Sequence, residues 1–257
     1  MATSEQTRRN LDHYGELAAG RSDYWRLMAA PRFRVKTILG ELQKVRPGSI
    51  LDLGCGDGSL LLAIAQVLPG AKLIGVDLSA AQIDENRKRA PEIEWLTGNV
   101  EDEEFRFDGR YAAIVCSELI EHLAEPVQFL KSARRVAADD ALLILSTQSG
   151  RVGETERRVG HLRHFTTGEM SAILADAGWT PIRLWNAGFP FQDLSKWIAN
   201  LAPDYSMRHF GERRYGWMER FASLALRLLF ALNSRSRGAQ LFAVARKAGS
   251  GSSSDVR

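Results

Sequence analysis

The sequence predicts an α/β fold: a sheet, parallel over most of its width, with helices on both faces. Three observations carry that expectation. From residue 49 onward, short apolar runs alternate with longer amphipathic stretches, the pattern of strands and their crossover helices. The first run opens into "GCGDG", three glycines at alternate positions where a strand gives way to a helix. The last run, "AQLFAVARK", follows a stretch of helical character too long for a hairpin connection.

In chain order, "DYWRLMAAPRFRVKTILGELQKV" reads as helix ahead of the sheet. Strands follow at 49–53 ("SILDL"), 72–77 ("KLIGVD"), 93–97 ("IEWLT"), 111–116 ("YAAIVC") and 141–146 ("ALLILS"). Helices fall at 58–68, 79–90, 125–137 and 167–177, the last with Thr167 as N-cap and Gly178 as its stop. A sixth strand is expected at 181–187 ("PIRLWNA") and a seventh at 239–247. Between them, "FPFQDLSKWIANLA" and "GWMERFASLALRLLFALN" read as helices. The expected organisation is a helical segment over 1–47, an α/β domain over 48–187 plus 238–248, and a helical insertion over 188–237. The tail at 249–257, too polar and glycine-rich to pack, is expected to be disordered.

A hydrophobic content of 45% and a charged content of 25% are those of an ordinary globular protein. The opening "MATSEQTRRN" lacks the apolar core of a secretory signal. No apolar run reaches the ~20 residues that span a bilayer. Cys55 and Cys116 form no evident disulfide framework, and the expected setting is the cytoplasm, with membrane-peripheral placement as a variant. Net charge is +3, but residues 183–247 hold eleven Lys/Arg against four Asp/Glu. That bias suits phosphate-bearing, nucleic-acid or membrane partners, and a solvated basic face explains it equally.

Gly54, Gly56 and Gly58 leave bare backbone, and free N–H groups at a helix start, outside the carboxyl end of a strand. The spacing G-x-G-x-G departs from the dinucleotide pattern G-x-G-x-x-G. Asp77 ends the second strand, about nineteen residues on, where a carboxylate can accept from both hydroxyls of a ribose. Capping of the next helix is the alternative for Asp77, although Ser79 can fill that role.

Together "ILDLGCGDGSLL", "LIGVDLS", "GNVEDEEF" and "AAIVCSELIEHL" resemble the class I S-adenosylmethionine-dependent methyltransferases over about residues 48–187. The resemblance implies a Rossmann-like seven-stranded sheet with an antiparallel last strand. It implies that Asp52, Gly54, Cys55, Gly56 and Gly58 cradle the methionine part of S-adenosylmethionine. Asp77 and Leu78 would hold the ribose, Asn99 and Val100 the adenine, and Ser117, Glu118 and His122 the remaining wall. Family members more often carry Asp where Asn99 stands, and the Asn carbonyl oxygen can still meet the adenine amino group. An N-terminal helix of this kind closes over the cofactor in the family.

In "SELIEHL", Glu118, Glu121 and His122 share one face if a helix begins there, a set able to bind a divalent metal. The Glu-x-x-Glu-His element resembles that of bacterial small-RNA 3′-terminal 2′-O-methyltransferases, whose metal site a later histidine completes. The lesser reading is thus a metal set of Glu118, Glu121, His122 and His161. The same element lines the pocket of ubiquinone-type O-methyltransferases, which need no metal cage. "HLRHFT" resembles the acceptor-facing stretch of sugar- and lipid-modifying methyltransferases, with His161 first and His164 second as proton acceptor. A capping or core histidine explains either equally.

Tyr14, Tyr24, Trp25, Phe189 and Phe191 are the expected acceptor-side aromatics, and ordinary packing explains any one of them as well. Trp217, Phe221, Leu224, Leu228 and Leu232 form one helical stripe beside "NSRSRG". Packing on the domain or on a second copy is the first reading of 217–233, and peripheral membrane contact the second. The expected function is methyl transfer from S-adenosylmethionine to a hydroxyl of a small-molecule, sugar or lipid-linked acceptor. S-adenosylhomocysteine is the product, the protein a monomer or homodimer, and nucleic acid the disfavoured partner. The alternatives are a metal-dependent RNA 2′-O-methyltransferase and a non-catalytic cofactor-binding scaffold.

Overall fold

The structure, a computed structural model, describes residues 24–102, 109–211 and 215–247. Tyr14, the side chain of Trp25 and the tail at 249–257 lie outside the described residues. Helices α1 (Tyr24–Leu27) and α2 (Ala29–Val45) precede β1 (Ser49–Leu53), α3 (Ser59–Val67), β2 (Lys72–Asp77), α4 (Ala80–Arg89) and β3 (Glu94–Thr97). Next come β4 (Tyr111–Ser117), a 3-10 turn at Ile120–His122, α5 (Pro126–Arg135), β5 (Ala137–Gln148), α6 (Glu154–Arg158), α7 (Thr167–Asp176) and β6 (Trp179–Ala187). Helices α8 (Phe191–Leu201), α9 (Pro203–Ser206) and α10 (Trp217–Phe230) lie between β6 and β7 (Gln240–Lys247).

Among the described residues seven strands form one sheet in the order β3-β2-β1-β4-β5-β7-β6. Strands β1 to β5 pair in parallel, and β7 runs antiparallel between β5 and β6. Strand residues alternate between two apolar layers, as a sheet covered on both faces requires. Leu51, Leu53, Ile114, Cys116, Leu143 and Leu145 meet Phe129, Leu130, Met170 and Leu174 of α5 and α7. On the other face Ile50, Ala113, Val115 and Ile144 meet Ile38, Leu42, Leu61, Ile64 and Ile83 of α2, α3 and α4.

The chain order reverses between β1 and β4: β2 and β3 lie on one side of β1, while β4 and the later strands lie on the other. That reversal opens the crevice at the carboxyl ends of β1 and β4, the usual ligand position in such sheets.

Of the boundaries that differ from expectation, two have clear local reasons. Strand β5 starts at Ala137 rather than 141, because Ala137 pairs with Tyr111 before Asp140 (φ 61°) kinks the strand. The N-cap of α7 is Thr166, not Thr167: its hydroxyl accepts from Glu169 N–H while the Glu169 carboxylate accepts from Thr166 N–H.

Candidate active site

Gly54, Gly56 and Gly58 all have left-handed φ, at 76°, 49° and 69°. Gly54 and Cys55 donate their N–H groups to Val76 O, pinning the loop to β2. Gly56 N–H donates to Asp77 Oδ2 at 2.8 Å, and Ser79 N–H to Asp77 Oδ1 at 2.9 Å. Buried Asn86 of α4 donates to Gly56 O at 2.8 Å from the other side. A Cβ on Gly58 would lie 2.5 Å from the Trp95 ring, so this glycine permits close helix–sheet packing. A Cβ on Gly56 would meet nothing within 4 Å: this backbone faces open space.

Three acids surround the loop with different duties. Asp57 accepts from Ser59 N–H and Oγ and starts α3. Burial raises the pKa of Asp77, opposed by N–H donation from Ser79, Gly56 and Leu78. Asp52 is buried with Oδ1 unpartnered among the described residues, and burial, then the Asp77 charge, pushes its pKa up to about 8. Asn99 spends its side-chain carbonyl on Glu101 N–H at 3.0 Å, and Val100 packs on the core.

Across the crevice Ser117 ends β4 beside Ser146, their hydroxyls 2.9 Å apart. Glu118 takes a left-handed φ of 55° and turns into a polar network. It accepts from Gln240 Nε2 (2.8 Å), Ser146 Oγ and Gln148 Nε2, with Arg34 of α2 at 3.7 Å. Tyr24 hydrogen-bonds Arg34, and burial raises its pKa.

Glu121 goes the other way: Oε2 accepts from Thr147 Oγ1 at 2.8 Å and Oε1 is buried without a partner among the described residues. Burial, then the Glu118 charge, raises its pKa well above the usual carboxylate range. Glu121, His122 and His161 offer atoms all within 4.8 Å of one another. Glu118 does not join that group, so the expected four-residue metal set is three residues here.

His161 Nδ1 stands 3.0 Å from His164 Nε2, and the His122 and His161 rings meet edge to face at 4.6 Å. Burial, then the charges of His122 and His164, push His161 down to about 2. Burial, then Lys196, lowers His164 to about 4. Both imidazoles are neutral at physiological pH.

A family profile described as "Methyltransferase domain" matches residues 24–184. The chain belongs to the class I methyltransferases. It is similar to the demethylmenaquinone methyltransferase of Chlorobaculum tepidum, 36% identical over 47% of each chain. It is also similar to the mitochondrial ubiquinone biosynthesis O-methyltransferase of Schizosaccharomyces pombe, 30% identical over 54% of each chain. It thus spans about half the length of the curated relatives it matches. Among solved structures, the N-methyltransferase NodS of Bradyrhizobium japonicum with S-adenosyl-l-homocysteine superposes with a TM-score of 0.58. The identity is 16%, covering 93% of this chain and 98% of that one. The [4+2]-cyclase SpnF superposes at 0.61, 15% identical over 95% and 94%. At such identities the likeness shows the fold alone, and the fold does not choose the reaction.

The methyltransferase crevice fits S-adenosylmethionine, the family's cofactor. Bare backbone at Gly56 faces open space, and the orphaned Asp52 oxygen suits a cationic ligand. Of the expected acceptor-side aromatics, Tyr24 reaches the polar network. Phe191 is half-buried at the start of α8, and Phe189 lies 51% exposed at the insertion entrance. Sequence reading missed Arg34, Asn86, Thr147, Gln148, Lys196 and Gln240. The signal for two of them was a polar ending, "STQ", on the apolar strand "LLIL".

Proposed function

We propose that this methyltransferase methylates a hydroxyl of a small-molecule, sugar or lipid-linked acceptor, a ring hydroxyl foremost. The observation that carries the reading is the neutral His161–His164 pair beside the Ser117–His122 segment, a proton acceptor bordering the cofactor crevice. Relatives named for demethylmenaquinone and for ubiquinone O-methylation support a lipid-tailed ring as the acceptor class.

S-adenosylmethionine, when bound, supplies a methyl group already activated on a sulfonium, so no protein nucleophile or metal is required. Asp77 would hold the ribose hydroxyls, Asn99 and Val100 would flank the adenine, and the Gly54–Gly58 backbone with Asp52 would hold the methionine part. The neutral His161–His164 pair takes the hydroxyl proton as the oxygen–methyl bond forms. A base with a pKa near 4 suffices, because bond formation makes that proton strongly acidic. His161, bridged to His164, keeps that ring in place. The alignment of the partners provides about 7–11 kcal/mol of barrier lowering in favourable cases.

Radiolabelled methyl transfer into fractionated lipid, small-molecule and RNA pools tests the reading. Label in the lipid or small-molecule pool, unaffected by EDTA, is expected. Label confined to RNA and abolished by EDTA would favour the Glu121–His122–His161 group as a metal site instead. Cofactor binding without label in any pool would favour the scaffold reading.

A further inference from the structure

Helices α8 and α10 are amphipathic with the wrong side out. On α10, Glu219 (5% exposed) and Ser223 (3%) face the protein, where Ser223 Oγ donates to Leu27 O. The stripe Trp217 (79%), Phe221 (71%), Leu224 and Leu228 (67%) faces outward, continued by Leu232. On α8, Gln192, Lys196 and Asn200 turn inward to Gln240, Gln148 and Glu156. Leu194, Trp197, Ile198 and Leu201, at i, i+3, i+4 and i+7, are all exposed. The two helices pack against each other. Water alone selects the opposite arrangement, and an exposed apolar surface of this extent marks a docking face.

We infer that the outward faces of α8 and α10 dock on a bilayer surface carrying anionic headgroups. Charge selects this occupant. Arg220 and Arg227 stand i+3 from Trp217 and Leu224 and border the stripe, and exposed Arg235 and Arg237 follow it. Arg227 also lies close enough to Arg32 of α2 to lower its pKa after burial, a like-charge crowding that phosphate headgroups relieve. A second copy applied to the same face would set these arginines against each other. Tryptophan and long arginine stems are the side chains that settle at a headgroup boundary. Among the described residues no helix is long and apolar enough to cross a membrane, so the helices lie along the surface.

Co-sedimentation of the full chain with phosphatidylcholine vesicles, with and without a third of phosphatidylglycerol, tests the inference. Binding is expected to the anionic vesicles and to weaken at high salt. Trp217→Ser/Phe221→Ser/Leu228→Ser should abolish it, with melting temperature and S-adenosylmethionine affinity unchanged because these side chains are 67–79% exposed. Arg220→Gln/Arg227→Gln should weaken it roughly fivefold per charge. Wild-type protein left in the supernatant with both vesicles overturns the inference. So does a dimer, seen by light scattering, that the triple variant dissolves while vesicle binding never appears. The readout is binding, so failure of the acceptor reading above would leave this result standing.

Discussion

Replacing Asp52 by Asn tests whether the crevice is poised for a cation. The carboxyl is buried at the end of β1, Oδ1 is orphaned among the described residues, and its pKa is pushed up to about 8. At pH 7 a group with that pKa is about nine-tenths protonated. A sulfonium beside it favours the ionised form, so binding expels roughly 0.9 proton per site at pH 7. By linkage, affinity through this group increases about tenfold per unit as pH is raised towards 8 and levels off above it. Titration calorimetry at pH 7, in two buffers of different ionisation heat, counts the protons. Wild type should release about 0.9 proton more than Asp52→Asn, the variant correcting for the cofactor's own amino group. In the folded protein this pKa lies above the unfolded value of 3.8. The stability this carboxyl contributes is therefore fully present below about pH 4 and lost as pH rises through about 8, a slope the Asn variant lacks. Equal proton counts in the two proteins would refute the reasoning, since the carboxyl would then not sense the bound charge.

Asp77→Ala should weaken cofactor binding by about a hundredfold and cost about 1–3 kcal/mol of stability, because Gly56 and Ser79 lose their acceptor. Calorimetry and urea unfolding read the two effects, and unchanged binding would remove the ribose assignment. Gly58→Ala should cost about 2–4 kcal/mol, combining a left-handed φ with a Cβ driven against Trp95; a melting temperature equal to wild type would contradict the packing account. His164→Ala should lower kcat by about a hundredfold or more at unchanged cofactor affinity. The wild-type kcat–pH profile should stay flat between pH 5 and 8 and fall only near 4, since the imidazole is already neutral above that. A break near the ordinary histidine value would show an unshifted base.

What the sequence revealed was local. The glycine turn, Asp77 and the strand positions follow from short-range spacing, and the structure keeps β1 and β2 at the expected residues. Arg34, Lys196 and Gln240 escaped notice because each reaches the polar network from an element remote in the chain. The α10 stripe was legible as periodicity, but its direction was not. A 3.6-residue repeat does not say which side faces the domain, and that choice fell to buried Glu219 and Ser223. Asp77 shows the same limit. Its place suggested a side chain that holds a ligand or caps the next helix, yet the N–H groups of Gly56 and Ser79 both lean on it.

Helix α2 carries Arg34 to the rim of the reaction chamber while Ile38 and Leu42, a turn or two onward, are wholly enclosed in the hydrophobic interior. The guanidinium beside Glu118 is therefore mounted on a helix anchored in the hydrophobic interior. A substitution at Arg34 therefore acts on the same helix that Ile38 and Leu42 anchor in the interior.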